Sequence, residues 1–224
     1  MSLFYIITIL FSVVGMIVSN VLKSKFKKYS RIPLQAGMSG AEVARNMLSY
    51  YGLSDVKIQM AKGMLTDHYN PLNRTVNLSE QVYMGRNIAS AAVAAHECGH
   101  AVQHAKHYPF LKLRSTLVPV VKFASIIQQY LLFAAFIFFS SIPQLLVVVA
   151  IAFGITTLFS FITLPVEFDA SKRALVWLKS TGIAEGKEYQ GAKDALKWAA
   201  MTYVVAALSA LVMFLYLLSR ASRN

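Results

Sequence analysis

Apolar and polar positions are segregated along this chain of 224 residues rather than interleaved. Four long apolar stretches, at 3–22, 124–139, 144–164 and 199–218, alternate with polar ones. Each approaches the roughly 20 residues that a helix needs to cross a hydrocarbon core, so four transmembrane helices are expected. The resulting division is an anchor at 1–22, a polar region at 23–116, a transmembrane hairpin at 117–164, a second polar segment at 165–198 and a last span at 199–219. The first stretch has no basic residues before it and no small-residue cleavage site, which predicts a retained anchor and not a signal peptide.

Inside 23–116 the pattern shortens. After Ser39-Gly40-Ala41-Glu42, the apolar Val43, Met47, Leu48 and Tyr51 recur at helical spacing as far as Gly52, predicting one short helix. Val56-Lys57-Ile58-Gln59-Met60 alternates, Lys62-Gly63 punctuates, and Met64 to Tyr69 leads through Asn70-Pro71-Leu72-Asn73 into Arg74-Thr75-Val76-Asn77-Leu78. That predicts a small antiparallel meander, with Val76 and Leu78 inward and the third strand either an edge open to an extended peptide or simply packed on the helix that follows. A helix from Ile88 to Lys106 follows, kept thin by Ala91, Ala92, Ala94, Ala95 and Gly99 for burial between strands and other helices.

Composition agrees with the pattern: 56% hydrophobic and 14% charged residues are unlike a soluble globule. A net charge of +12 invites a nucleic-acid reading, but its distribution argues against one. Lys23, Lys25, Lys27, Lys28 and Arg31 follow the first span, and Lys106, Lys112 and Arg114 precede the second. Nineteen of the 22 Lys and Arg lie in the two polar regions, and none in the loop at 140–143. The charges therefore read as topological, placing both polar regions in the cytoplasm and the N-terminus outside. No nucleic-acid motif accompanies them. Cys98 is the sole cysteine, so no disulfide forms within the chain.

His96-Glu97-Cys98-Gly99-His100 carries the chemistry. On a helix, HExxH sets two imidazoles one turn apart on one face, with Glu97 about 100° round and within reach of a water held by zinc. Cys98 points about 200° away from His96 and is expected to pack as a small hydrophobe. A catalytic zinc site needs a third protein ligand, for which His104, His107, Glu167 and Asp169 come into question. His104 sits a further turn along, too far for three rings to converge, and His107 lacks the spacing and turn glycine of the metzincins. Glu167 follows His100 by two spans, an even number of crossings, and so returns to the same side. It shares a helical face with Ala170, Ser171 and Ala174, whereas Asp169 lies on another and is expected to support the site from behind or to charge a helix N-terminus.

Together with Leu164-Pro165-Val166-Glu167-Phe168-Asp169-Ala170-Ser171-Lys172-Arg173-Ala174 and Asp67-His68-Tyr69-Asn70-Pro71, the motif resembles the YugP-like bacterial neutral zinc metallopeptidases, over nearly the whole chain. More distantly it is similar to the HtpX and CAAX prenyl protease families, where HExxH is followed by Glu-x-x-x-Asp with the glutamate on zinc. The resemblance implies Glu167 as ligand; Ser171 stands where those relatives have Asp. The expected fold is a mainly α membrane protein with about four transmembrane helices and a zincin-like α+β unit, a small antiparallel sheet plus the HExxH helix, at the cytoplasmic face. The expected activity is peptide-bond hydrolysis by one zinc on His96, His100 and Glu167, with Glu97 as general base. Asp169, His68, Tyr69 and Arg173 are candidates for supporting the site or binding substrate. Expected partners are a peptide or protein substrate, membrane-associated ones included, and the lipid bilayer. The competing reading is a non-catalytic membrane adaptor or assembly factor with a structural zinc site, which would have no use for Glu97.

Overall fold

The computed structural model describes residues 2–138 and 144–222. Its elements run α1 (Ser2–Tyr29), α2 (Gly40–Tyr50), β1 (Lys57–Ala61), β2 (His68–Asn70), β3 (Thr75–Ser79), α3 (Glu80–Met84), α4 (Ile88–Ala105), α5 (Pro109–Phe138), α6 (Gln144–Ser180) and α7 (Gly186–Ala221). They form two compact units, one of residues 19–111 with 166–200, the other of the described parts of 1–18, 112–165 and 201–224.

The first unit holds the sheet. Helix α2 begins where Ser39 Oγ accepts the Glu42 N–H at 3.3 Å and the Glu42 carboxylate accepts the Ser39 N–H at 2.7 Å, a reciprocal cap that satisfies two otherwise orphaned donors. It ends before Gly52, which takes a φ of +70°. Helix α2 buries Val43, Ala44, Met47 and Leu48 against α4, whose own start is capped by Asn87 accepting from Ser90 N at 2.9 Å. Val76 and Leu78 are fully buried, as the alternation predicts.

The sheet departs from the expected meander. Its order is β1-β3-β2, with β1 parallel to β3 and only β2 antiparallel to it. β3 is therefore the central strand, and β1 and β2 are the edges. The segment 62–67 carries the chain over the end of β3 instead of turning back beside β1, which a two-residue hairpin would have required.

In the second unit, Leu146, Val149 and Ala150 of α6 pack with Met213 and Leu217 of α7, and Phe4 and Ile7 of α1 lie against them. Much of the remaining apolar surface faces outward: Leu3, Ile6 and Ile9 of α1 are 53%, 59% and 62% exposed. Among the described residues three helices are long and apolar enough to cross a membrane, Leu3–Tyr29, Leu145–Ser180 and Gly186–Ala221. The fourth expected span, 124–139, falls on the end of α5 and runs out of the described residues, as does the loop at 140–143. The helix of the third expected span does not stop at Leu164-Pro165. Helix α6 continues through Pro165 to Ser180, since a proline removes one N–H donor and membrane helices absorb that loss.

Candidate metal centre

Two helices of the sheet-bearing unit build the site. Helix α4 carries His96, Glu97 and His100, and the part of α6 beyond Pro165 carries Glu167. They approach closely because Gly99 has no side chain: a Cβ there would stand 2.5 Å from the Ala170 carbonyl oxygen. Ala170 and Ala174 are fully buried on the same face of α6.

Glu167 Oε2 lies 3.3 Å from His96 Nε2 and 3.7 Å from His100 Nε2. The two rings meet edge to face at 4.8 Å between centroids. One ligand atom from each of the three residues falls within 4.8 Å of the others. Ligand bonds of roughly 2.0–2.2 Å at tetrahedral angles separate donors by about 3.3–3.6 Å. The Glu167–His96 separation lies in that range and the Glu167–His100 separation just beyond it, and two imidazole nitrogens with one carboxylate oxygen are the donor types of a zinc site with one position left for water. His100 and Glu167 are buried at 7% and 2% exposure, so the carboxylate has little access to bulk solvent.

The far nitrogen of each ring is also engaged. His96 Nδ1 is 3.1 Å from Ser171 Oγ, and His100 Nδ1 is 3.0 Å from Gln103 Oε1. Gln103 Nε2 donates at 2.8 Å both to the Val166 carbonyl and to Asp169 Oδ2. Asp169 in turn accepts from Arg173 Nε at 2.5 Å and Nη2 at 3.3 Å, and the guanidinium lies 5.9 Å over the Tyr108 ring. Asp169 thus sits mid-helix in α6, not at an N-terminus, and Arg173 is engaged by Asp169 and Tyr108.

Glu97 is buried, and its Oε2 accepts the main-chain N–H of Tyr69 at 3.0 Å. Burial pushes its carboxyl up to about 7; His96 opposes that shift, and the nearby Glu167 and Asp67 carboxylates reinforce it. Asp67 is itself tied down by Ser79, whose N–H and hydroxyl donate to Oδ1 at 2.7 and 3.0 Å. The Tyr69 phenol is bonded to His104 Nδ1 at 2.8 Å, so Tyr69 reaches the motif through its backbone. His68 Nδ1 donates to the Thr66 carbonyl at 2.8 Å, and its Nε2 faces the Asn77 amide at 3.3 Å. His107 lies in the exposed turn after α4. Cys98 is buried with Sγ 3.6 Å from the Ala44 carbonyl, and burial pushes its thiol far above the ordinary range.

The structure therefore brings His96, His100 and Glu167 together with Glu97 beside them, sets Asp169 behind Gln103, and gives His68 and the Tyr69 phenol other partners. Gln103 and the Tyr69 N–H carried no motif signal in the sequence, and Ser171 was placed on the face of Glu167 without a partner. The available signal was spacing: Gln103 lies at i+3 from His100, and Ser171 at i+4 from Glu167.

Comparison with known proteins bears on the family and not on the individual residues. No solved structure matches the chain. Over 190 residues, 85% of this chain and 84% of the relative, it is 45% identical to a Bacillus subtilis (strain 168) protein named "Putative membrane protease YugP". Residues 4–222 match the family model described as "Putative neutral zinc metallopeptidase", and the chain belongs to that family of zinc peptidases.

Proposed function

We propose that this protein is an integral membrane zinc endopeptidase of the gluzincin type, working at the cytoplasmic face. The observation that carries the reading is the convergence of His96 Nε2, His100 Nε2 and Glu167 Oε2 beside a buried glutamate. Bound by these three, zinc supplies Lewis acidity, lowering the pKa of water toward neutrality and polarising a scissile carbonyl. Glu97 accepts the proton of the attacking water and returns it to the departing amine. The Tyr69 N–H holds the Glu97 carboxylate in place, and the burial that raises its proton affinity suits it to both directions of transfer. Ser171 and Gln103 steady the two imidazoles from behind.

The chain supports four crossings. His100 and Glu167 belong to one compact unit, so an even number of crossings separates Leu111 from Val166. The apolar part of α6 supplies one, and the apolar part of α5 the other. The substrate is a peptide or protein, membrane-associated ones included.

Purified protein in detergent is expected to hold about one zinc per chain and to cleave casein. Glu97→Gln should keep the zinc and lose cleavage. Undiminished cleavage in that variant would overturn the mechanism, and a wild-type protein that holds zinc without hydrolysing any peptide would favour the adaptor reading.

A further inference from the structure

We infer that Gln103 is a positioning residue that sets the tautomer and direction of His100 and locks it to the stretch of α6 bearing Glu167; this rests on the zinc reading above. Gln103 is 0% exposed, a long polar side chain with no access to water. The two ends of a carboxamide are alike in shape, so its neighbours must decide its orientation. Here they do. The Val166 carbonyl can only accept, and it lies 2.8 Å from one end of the amide. Asp169 Oδ2, already accepting from Arg173, lies 2.8 Å from the same end. That end is therefore the NH2 group, and the oxygen faces His100 Nδ1 at 3.0 Å. An amide oxygen has no proton to give, so His100 Nδ1 carries the hydrogen. In the neutral ring the free lone pair is then on Nε2, the atom turned toward Glu167.

The arrangement at His96 is different. Its partner, the Ser171 hydroxyl, can donate or accept, so it steadies the ring without dictating which nitrogen is protonated. Gln103 also acts across the helix pair. Val166 precedes Glu167 and Asp169 follows it by two, so one side chain from α4 is bonded on both flanks of the carboxylate ligand. Sliding α4 against α6 would break both of these bonds and leave buried polar groups unpaired.

The tautomer is read in metal-free, [15N]histidine-labelled protein by NMR at about pH 9, above the ordinary imidazole range. The signals of the five histidines are assigned by single His→Gln substitutions. Wild-type His100 is expected as the Nδ1–H form, and Gln103→Met should return it to the mixture of an unconstrained imidazole. In zinc-loaded protein, competition with a chelator should show roughly 10- to 100-fold weaker zinc binding for Gln103→Met. Val102→Ala, which loosens the adjacent buried core, should keep wild-type zinc affinity and so separates positioning from general softening. Wild-type His100 in the Nε2–H form overturns the inference whether or not any variant folds, as does Gln103→Met with unchanged zinc affinity. A wild-type protein that binds no zinc instead overturns the proposed function, and is distinguished because the tautomer is read without metal.

Discussion

Gly99, inside the metal motif, is constrained by packing rather than by coordination chemistry. The atoms a Cβ would strike, the Ala170 carbonyl oxygen at 2.5 Å and Cα at 3.1 Å, are backbone and can yield only if α6 shifts. Ala170 is three residues from Glu167, so any such shift moves the ligand as well. Gly99→Ala is therefore expected to cost about 1–3 kcal/mol, the usual range for overpacking, and to weaken zinc retention at the same time. Thermal unfolding with and without zinc measures both; a variant that unfolds and binds as wild type would mean that the helix pair has slack. Gly99 also marks how far single residues can be read in advance. His96, Glu97 and His100 are legible because helical geometry fixes their relations within five residues. Glu167 is a candidate in the sequence because two expected crossings would return it to the same side. Gln103, Ser171 and the Tyr69 N–H are not, because their partners are set by how α4 meets α6 and β2, which no local pattern encodes.

Among the elements, α2 and α4 were legible nearly to their ends, whereas α1, α5, α6 and α7 run past the apolar stretches that announced them, and neither α3 nor the order of the sheet was legible. The run Val43, Met47, Leu48 and Tyr51 announces α2, whereas the order β1-β3-β2 depends on where the 62–67 segment leads, and alternation within a strand is the same for either direction of pairing. The end of the apolar stretch at 164 is not the end of the helix: Pro165 removes one donor, but α6 keeps its remaining bonds and continues. The start of α2 makes an electrostatic contribution that can be measured. Glu42 accepts the Ser39 N–H at 2.7 Å and pairs with Arg86 at 2.9 Å; these interactions, the backbone bond first, hold its carboxyl below the ordinary value. A carboxylate whose folded pKa is depressed stabilises the fold above its unfolded pKa and loses that contribution as pH falls through the folded one. Glu42→Gln should therefore melt below wild type at neutral pH, and the gap should narrow as the pH drops through the carboxylate range. A gap that stays constant across that range would show that the charge contributes nothing beyond the hydrogen bond.

At the scale of the whole molecule, the metal centre and the membrane topology make demands on each other. His96 and His100 precede α5, whereas Glu167 follows the apolar part of α6, and all three belong to one compact unit. They can share an ion only if the chain crosses the bilayer an even number of times between them. The proposed side rests on charge: the polar regions 23–116 and 165–198 hold nineteen of the 22 Lys and Arg, an excess of the kind found in cytoplasmic segments. Lys25 and Tyr29 at the end of α1 both bond Asp194 of α7, at 2.7 and 2.6 Å, so the basic stretch after the first span and the polar start of the last are held in the same unit. Reporter fusions after Lys112 and after Lys187 are accordingly expected to read cytoplasm alike, and a fusion at the N-terminus to read the outer side. Opposite sides for the first two would leave Glu167 across the membrane from the histidines and remove it as a ligand. Both of those reporters outside, with the N-terminus inside, would preserve the parity and the metal centre but move the peptidase to the outer face, overturning the charge argument alone.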